Sequence, residues 1–375
     1  MIKQNTKRAI NVSSKERLPK ICIGIYLLTA LSAMLYLGFV LSPGFADGFN
    51  RTVGAGMRFL LGSLTAWIPF SLAELLLLLL PLWAFLLIRL AARRYCGSRH
   101  DAAVYLGILF SIVCTVGILF VWTFAAGYYA TPLEDKLELS REKVSAAELY
   151  ETAEALREEL VLLTPEIRFS EEGASAMPYS REEMNEKLMS AYEKFAEKEA
   201  FLLHYRTRVK PVLLSRAMSY THITGVYTFF TGEANLNVHF PDYTLPFTAA
   251  HELAHQRGIA REDEANFVAY LVCMESEDPY LRYSATLSLY EYLLSSLYSA
   301  DRALYRASIE ALPPEILAEE RAFDEFFEKY RDNVAADVSE AVNNGYLQSQ
   351  GAAEGTRSYN LVVDLAVAYY KAKTA

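Results

Sequence analysis

The pentapeptide His251-Glu252-Leu253-Ala254-His255 holds the side chains whose types and spacing point most directly to a chemistry. On a helix, residues four apart lie on one face, so both imidazoles can reach a single ion. Zinc accepts neutral imidazole nitrogens and keeps one position open for water in hydrolases. Glu252 follows the first histidine, where a carboxylate can take a proton from that water. The pattern predicts a hydrolytic zinc site with His251 and His255 as ligands and Glu252 as general base.

A hydrolytic zinc site usually takes a third protein ligand. A second predicted helix, from about residue 261 to 274, carries Glu262, Asp263 and Glu264 within ten residues of the motif. A stop at Gly258 would let this helix fold back and bring one carboxylate to the imidazoles. The competing interpretation is a solvated pair of histidines on the surface of an acidic helix.

The segment before the motif predicts a small sheet. Residues 225–230 and 236–240 are β-prone, and residues 231–235 lie between them, which indicates a hairpin ahead of a helix that begins near Pro246 or Phe247. The strand near 235–238 either forms an edge that pairs with an extended peptide or only packs against the motif helix. Glu233 and Asn235 are candidates for substrate binding, and the alternative is that they make the turn.

Tyrosines are the candidates for stabilising a developing oxyanion, because a phenol can donate a hydrogen bond to it. Tyr283, Tyr346 and Tyr359 are considered for this role, and Tyr346 is included among the predicted substrate-binding residues. The chain contains 25 tyrosines, so a packing role competes with this interpretation at each position.

Three apolar stretches are long enough to cross a bilayer, for which about 20 residues are needed. They run over about 21–41, 68–88 and 103–126, and none resembles a cleaved signal peptide. Glu74 in the second stretch is expected at the membrane interface. The connection 42–67 is either a segment along the membrane surface, anchored by Trp67, or a plain loop.

Lysine and arginine are concentrated in the N-terminal tail and in the connection after the second stretch. The positive-inside rule therefore predicts a cytoplasmic N-terminus and an extracytoplasmic polar part. We expect a cytoplasmic tail over 1–20, a membrane domain with three transmembrane helices over 21–127, and a mainly helical domain with a small β-hairpin or sheet over 128–375. The formal net charge of −9 argues against nucleic acid as a partner and leaves the lipid bilayer and a peptide or protein substrate.

The polar part reads as helical on both sides of the predicted sheet. Ser145 to Glu148 and Ser180 to Glu183 fit the Ser-x-x-Glu capping box, each ahead of a helical pattern. Beyond the motif, helices are predicted over about 281–304, 314–330, 332–343 and 358–372. The fold class is therefore mainly α.

His251 to His255 followed by Glu264-Ala265-Asn266 resembles the two-part signature of gluzincin metallopeptidases, and the close spacing is similar to that of ImmA/IrrE-type bacterial peptidases. The layout of three apolar stretches, with the segments 68–71, 230–235 and 251–266 and with Tyr346, Gly355 and 358–359, resembles an uncharacterised family of bacterial membrane proteins. The first resemblance implies a zincin-like domain, Zn²⁺ as cofactor, Glu252 as general base and Glu264 as third ligand.

Glu264 is also preferred because it begins an apolar face, 265, 268, 269 and 272, that is expected to pack on the motif helix. These features together predict a multi-pass protein of the cell membrane that hydrolyses peptide bonds with zinc. The alternative is a membrane scaffold or sensor with a structural zinc site, which has no need of Glu252.

Overall fold

The computed structural model of the protein describes residues 17–171, 173–351, 355 and 361–374. The chain is mainly helical and has one small sheet in the described part. The helices are α1 Lys20–Leu41, α2 Pro43–Phe49, α3 Ala55–Ala66, α4 Leu72–Leu78, α5 Leu80–Leu90, α6 Arg99–Phe120, α7 Ala126–Tyr129, α8 Leu133–Lys136, α9 Ala146–Leu163, α10 Arg181–Lys198, α11 Ser215–Met218, α12 Thr244–Gln256, α13 Glu262–Met274, α14 Pro279–Ala300, α15 Arg302–Glu310, α16 Pro314–Glu328, α17 Val334–Ser349 and α18 Val362–Thr374. The strands are β1 Lys210–Pro211, β2 Gly225–Thr228 and β3 Glu233–Leu236, and π-helical turns occur at Asn50–Gly54, Ala91–Tyr95 and Val121–Ala125.

Two helical stretches of the described chain are long and apolar enough to cross a membrane, Lys20–Leu41 and Arg99–Tyr129. The predicted second span is instead a pair of helices, Leu72–Leu78 and Leu80–Tyr95, bent by 50°. Pro81 lies at the start of α5, where it lacks the N–H that would continue the helix. The bent pair makes a third crossing only if its two parts act as one span. These apolar helices indicate membrane association.

The chain divides into two compact units. One contains the described chain up to Met34 together with Leu76–Ile118, and the other contains Leu35–Leu75 with Leu119–Ala375. The second unit therefore includes α2, α3 and most of α4 as well as the polar part. The connection 42–67, for which a surface segment or a plain loop was considered, is helical over most of its length.

The sheet has the strand order β1-β3-β2. β2 pairs antiparallel with β3 and places Val226 opposite Asn235, which confirms the predicted hairpin; β1 runs parallel to the other side of β3. The second strand begins at Glu233, earlier than predicted. Because β3 has a partner on both sides, it is not the edge considered for an extended peptide. β2 is the edge strand on that side of the sheet.

The core of the second unit holds the helices in place around the motif. Buried side chains of α9, α10, α12, α13, α14 and α18 form one hydrophobic cluster, which fixes α12 and α13 against each other. The predicted box at Ser145 is complete, with its side chain accepting from Glu148 N, and Ser180 caps α10 in the same way. The basic tail up to residue 16, Ser358 and Tyr359 lie outside the described residues.

Candidate metal centre

A tight helix–turn–helix carries the histidine motif. α12 ends at Gln256, and Gly258 follows with φ +95°, a left-handed conformation that glycine adopts at low cost. The turn returns the chain so that α13 starts at Glu262 beside α12. His255 Nδ1 lies 2.7 Å from the Ile259 carbonyl oxygen of this turn. That contact fixes a proton on Nδ1 and leaves Nε2 free for another partner.

Three side chains converge on one point between the helices. Nε2 of His251 and Nε2 of His255 each lie 3.2 Å from Oε2 of Glu262. The three candidate ligand atoms all lie within 4.8 Å of one another. Ligands that share a tetrahedral zinc at about 2.0–2.1 Å stand about 3.3 Å apart. The donor set and its spacing therefore fit a small divalent ion without rearrangement of the helices.

The structure places Glu262 at the histidines, and it places the predicted third ligand, Glu264, elsewhere. Glu264 Oε1 instead accepts hydrogen bonds from Leu133 N and Arg261 Nη1, both at 3.0 Å. Asp263 lies in a third direction, where it pairs with Arg141 at 3.0 Å. Successive residues of a helix are rotated by about 100°, so three adjacent carboxylates have three different surroundings.

The apolar face that begins at Glu264 does not identify the third ligand, because α13 has no solvent-exposed face in its first three turns. All residues from Glu262 to Cys273 are buried, so apolar side chains do not reveal which face meets α12. A different signal was present in the sequence. Glu262 and Asn266 are polar and four residues apart, which places both on one face of the helix.

Glu252 projects from α12 toward strand β2. A backbone N–H of Tyr227 donates to its carboxylate, and a Cβ added at Gly225 would lie 2.6 Å from Oε1. Gly225 therefore makes room for this side chain. Among the described residues the buried Oε2 has no hydrogen-bond partner. Burial raises the pKa of Glu252 to about 8; the neighbouring His255 opposes this rise and Glu262 adds to it.

The three converging residues carry an internal ion pair. Burial alone would lower the pKa of His255, but the charges of Glu262 and Glu252 raise it to about 9. Burial and the neighbouring His255 lower the pKa of His251. Although burial would raise the pKa of Glu262, His255 and His251 hold it below its ordinary value. The stable arrangement is a neutral His251 beside a His255 imidazolium and a Glu262 carboxylate.

Asn266 orients the first histidine, a contact that was not anticipated from the sequence. Its side chain hydrogen-bonds His251, and its Nδ2 donates to Tyr292 Oη at 3.3 Å. Groups behind a metal-binding imidazole fix the ring orientation and tautomer. On the other side, the Phe124 ring meets His255 edge-on at 5.8 Å between centroids.

Two of the predicted substrate-binding residues belong to the sheet itself. Glu233 is buried, pairs with Lys210, and accepts hydrogen bonds from the backbone N–H groups of Leu72 and Ala73 at the start of α4. Asn235 Nδ2 donates to Val226 O at 3.1 Å and to a carbonyl of its own strand. Both residues lie in strand β3, so neither forms the turn that is the alternative interpretation for them.

Tyr346 does lie near the histidine cluster. Its hydroxyl accepts from Tyr128 Oη at 3.0 Å. Burial raises its pKa to about 12, and the charge of Glu262 acts in the same direction. Tyr283, by contrast, donates to Glu319 Oε2 at 2.8 Å in the protein core, and Tyr359 lies outside the described residues.

The comparisons with known proteins give a family and no activity. A family model described as "Protein of unknown function (DUF3810)" matches residues 49–367, which is most of the chain. No curated protein and no solved structure matches it. The matched range contains every residue of the histidine cluster and α3.

Proposed function

The chain belongs to the DUF3810 family, and from the geometry of the site we propose that it is a membrane-anchored zinc metallopeptidase. One observation carries the proposal. Two imidazole nitrogens and the Glu262 carboxylate oxygen lie at ligand spacing around one point. A second carboxylate, that of Glu252, lies on the same helix as the two histidines and does not pair with either of them. Two histidines and one glutamate form a ligand set typical of hydrolytic zinc sites.

His251, His255 and Glu262 would hold the ion. Bound zinc lowers the pKa of water to about 7 and polarises a carbonyl. Ile259 O and Asn266 keep the two imidazoles oriented, so that their nitrogens are available together. Glu252 is the proton acceptor: it takes a proton from the attacking water and passes it to the leaving amine. Its buried position, and the space provided by Gly225, keep the carboxylate at that location.

The edge strand supports a polypeptide substrate. Within the described part of the chain β2 is paired with β3 on one side only, and it lies directly beside Glu252. An extended peptide can add to such an edge through main-chain hydrogen bonds. The substrate would then present a peptide bond next to the proton acceptor. Tyr346, on the Glu262 side, is the candidate donor for the developing oxyanion.

A structural zinc site in a scaffold or sensor is the second candidate. The observation that favours it is burial, since His251, Glu252, His255 and Glu262 are each less than a tenth exposed. Structural sites are closed, whereas catalytic sites keep a position open. The two functions differ in their use of Glu252, because a structural site gains nothing from its basicity.

For the topology, the excess of lysine and arginine in the N-terminal tail and in the second connection supports a cytoplasmic N-terminus. Counting the bent pair as one span gives three crossings, and on that basis we propose an extracytoplasmic location for the polar part. A reporter active only in the cytoplasm, fused after Ala375, is then expected to stay silent. A strong signal would place the site in the cytoplasm and reverse the orientation.

Glu252→Gln is the test of the enzyme proposal, because it keeps the side chain's size and removes its basicity. The full chain, purified with zinc, is incubated with a peptide library. We expect the variant to bind one zinc as wild type does and to lose hydrolysis by a factor of about 10² or more. Glu277→Gln, an exposed change, is the matched control. Equal cleavage by wild type and Glu252→Gln would refute the mechanism. One zinc in both proteins with no cleavage by either would favour the structural site.

A further inference from the structure

Helix α3 buries its charged side chain and exposes apolar side chains, which is the reverse of a helix in water. Between Arg51 and Glu74 the sequence has one ionisable side chain, Arg58, and that side chain is only 1% exposed. The outward positions are apolar: Leu60 is 56% exposed and Leu64 57%. Soluble proteins keep charge outside and rarely expose contiguous apolar patches of this kind.

The buried cation is held entirely by neutral oxygen atoms. Arg58 Nη1 donates to Asn50 Oδ1 at 2.9 Å and to Thr123 O at 2.7 Å, and Nη2 donates to Asn50 O at 2.8 Å. Asn50 and Thr123, which supply these oxygen atoms, both lie in π-helical turns. Such turns occur as local bulges at which the regular hydrogen-bond ladder of a helix is altered. A charged group in an apolar setting is tolerated when it is turned inward and paired with backbone carbonyls.

The exposed apolar surface continues past the end of α3. Trp67 is 82% exposed, and Phe70 and Val53 are also exposed on the segments flanking the helix. α3 continues from α2 through the π-helical turn at Asn50–Gly54, and this helical stretch over 43–66 is not among those of the described chain that are apolar enough to cross a membrane. Such a helix can lie in the membrane interface, where an exposed tryptophan is a common anchor.

Chain connectivity selects lipid as the occupant of this surface. α1, which is apolar enough to cross a membrane, ends at Leu41, and α2 begins at Pro43. The bent apolar pair begins at Leu72, six residues after α3 ends. The connection is therefore tied at both ends to candidate spans, and between Arg51 and Glu74 its outward face carries no charge with which a polar partner could pair. We infer that this face of α3, with Trp67, is seated in the lipid and that the candidate metal centre works at the bilayer surface.

The inward face of α3 connects this surface to the metal centre. Arg58 Nη2 lies 3.4 Å from the carbonyl oxygen of Arg257, two residues after His255. A Cβ at Gly62 would lie 3.5 Å from Nε2 of Gln256, the residue that follows His255. The C-terminal turn of α12 thus rests on the back of the lipid-facing helix. If the site is the proposed peptidase, its substrate class is a polypeptide segment next to a membrane anchor; this part of the inference rests on the proposed function.

Tryptophan fluorescence tests the lipid contact in the full chain. Trp83→Phe and Trp122→Phe leave Trp67 as the single tryptophan of the chain. In nanodiscs of brominated phosphatidylcholine we expect its emission to fall at least twofold relative to unbrominated lipid. Leu64→Trp, with Trp67 also replaced by Phe, should behave the same way. The matched control is Leu162→Trp in that background, an exposed leucine of α9, and it should be unaffected. Unquenched emission from both Trp67 and Leu64→Trp would overturn the inference.

The substrate class has its own test, which separates its failure from that of the enzyme proposal. One peptide is presented to wild type in nanodiscs, either free or fused to a hydrophobic membrane helix. We expect the anchored form to be cleaved about tenfold faster, since anchoring raises its local concentration. Leu60→Lys with Leu64→Lys should reduce that advantage and leave cleavage of the free peptide unchanged. Equal rates for both forms would overturn the substrate class alone. No cleavage of either form would overturn the enzyme proposal, while the quenching result would still decide the lipid contact.

Discussion

Two buried polar clusters in the same unit differ in how their hydrogen-bonding capacity is used. In the sheet, Lys210 and Glu233 pair with each other, Lys210 Nζ also donates to Thr65 O at 2.7 Å, and Glu233 accepts from the first N–H groups of α4. Between α12 and α13, His251, His255 and Glu262 place two nitrogens on one carboxylate oxygen. The first cluster is charge-balanced and joins four elements, β1, β3, α3 and α4.

In the second cluster, the side-chain atoms converge on one point and do not form a matched ion pair. Both histidines face the same oxygen, although one such oxygen is poorly shared by two imidazoles, and Glu252 Oε2 has no hydrogen-bond partner among the described residues. Buried polar groups in proteins are nearly always satisfied, so a buried group without a partner calls for an explanation. The contrast supports a stabilising role for the pair of Lys210 and Glu233, and it supports the proposal that the helix cluster binds a ligand.

Breaking the sheet cluster should have the largest effect on stability. Glu233→Gln leaves the Lys210 ammonium buried without its counter-charge, which costs about 3–5 kcal/mol of unfolding free energy. The measurement is chemical denaturation of the purified chain in detergent. Glu277→Gln, whose partner Lys194 is on the surface, should change the free energy by less than about 0.5 kcal/mol. Similar losses in the two variants would remove the distinction between the clusters.

Removing a residue behind the candidate metal ligands should weaken metal binding with a smaller effect on the fold. In Asn266→Ala the His251 ring loses the side chain that orients it. The expected loss of zinc affinity is about 10–100-fold, the range for such outer contacts. A chelator competition titration measures it. Asn235→Ala, which removes a comparable buried amide from the sheet, should bind zinc as wild type does, and a parallel loss there would point to general destabilisation.

The pH dependence of zinc binding should follow the ion pair. The pKa of His255 is raised from 6.5 to about 9 in the metal-free protein, so this pairing stabilises the fold fully below pH 6.5 and the contribution is lost as the pH rises through about 9. Glu262 has a lowered pKa, and its contribution is lost only in acid. Zinc must displace the His255 proton, so its affinity should rise about tenfold per pH unit from pH 7 to 8. A flat profile would show that His255 is already neutral.

Features set by neighbouring residues could be predicted from the sequence, whereas features set by contacts between distant residues could not. The histidine motif, the two helices that flank Gly258 and the hairpin before them are local patterns, and the structure has all of them. The choice between Glu262 and Glu264 depended on how α13 is rotated against α12. That rotation is set by the turn at Gly258 and by burial on all sides, which a hydrophobic pattern does not encode.

The same limit applies to the membrane part and to the sheet. A count of apolar residues does not show that Pro81 divides the second stretch into two helices at an angle of 50°. Nor does it show that Glu233 meets Lys210, because that pair joins residues 23 positions apart on adjacent strands. Nor could the sequence distinguish a surface segment from a loop for the connection that contains α3. The burial of Arg58 depends on Asn50 and on Thr123, and Thr123 is 65 residues away in sequence.

A zinc titration of Glu262→Gln and Glu264→Gln, in parallel with wild type, decides whether Glu262 is the third ligand. The two residues are two positions apart, of the same type and both less than a tenth exposed, so each is the other's control. We expect Glu262→Gln to lose zinc affinity by more than about 100-fold, exceeding the loss from outer contacts, while Glu264→Gln binds one zinc with wild-type affinity. Wild-type affinity in Glu262→Gln, or a loss confined to Glu264→Gln, would contradict the metal centre described for these helices.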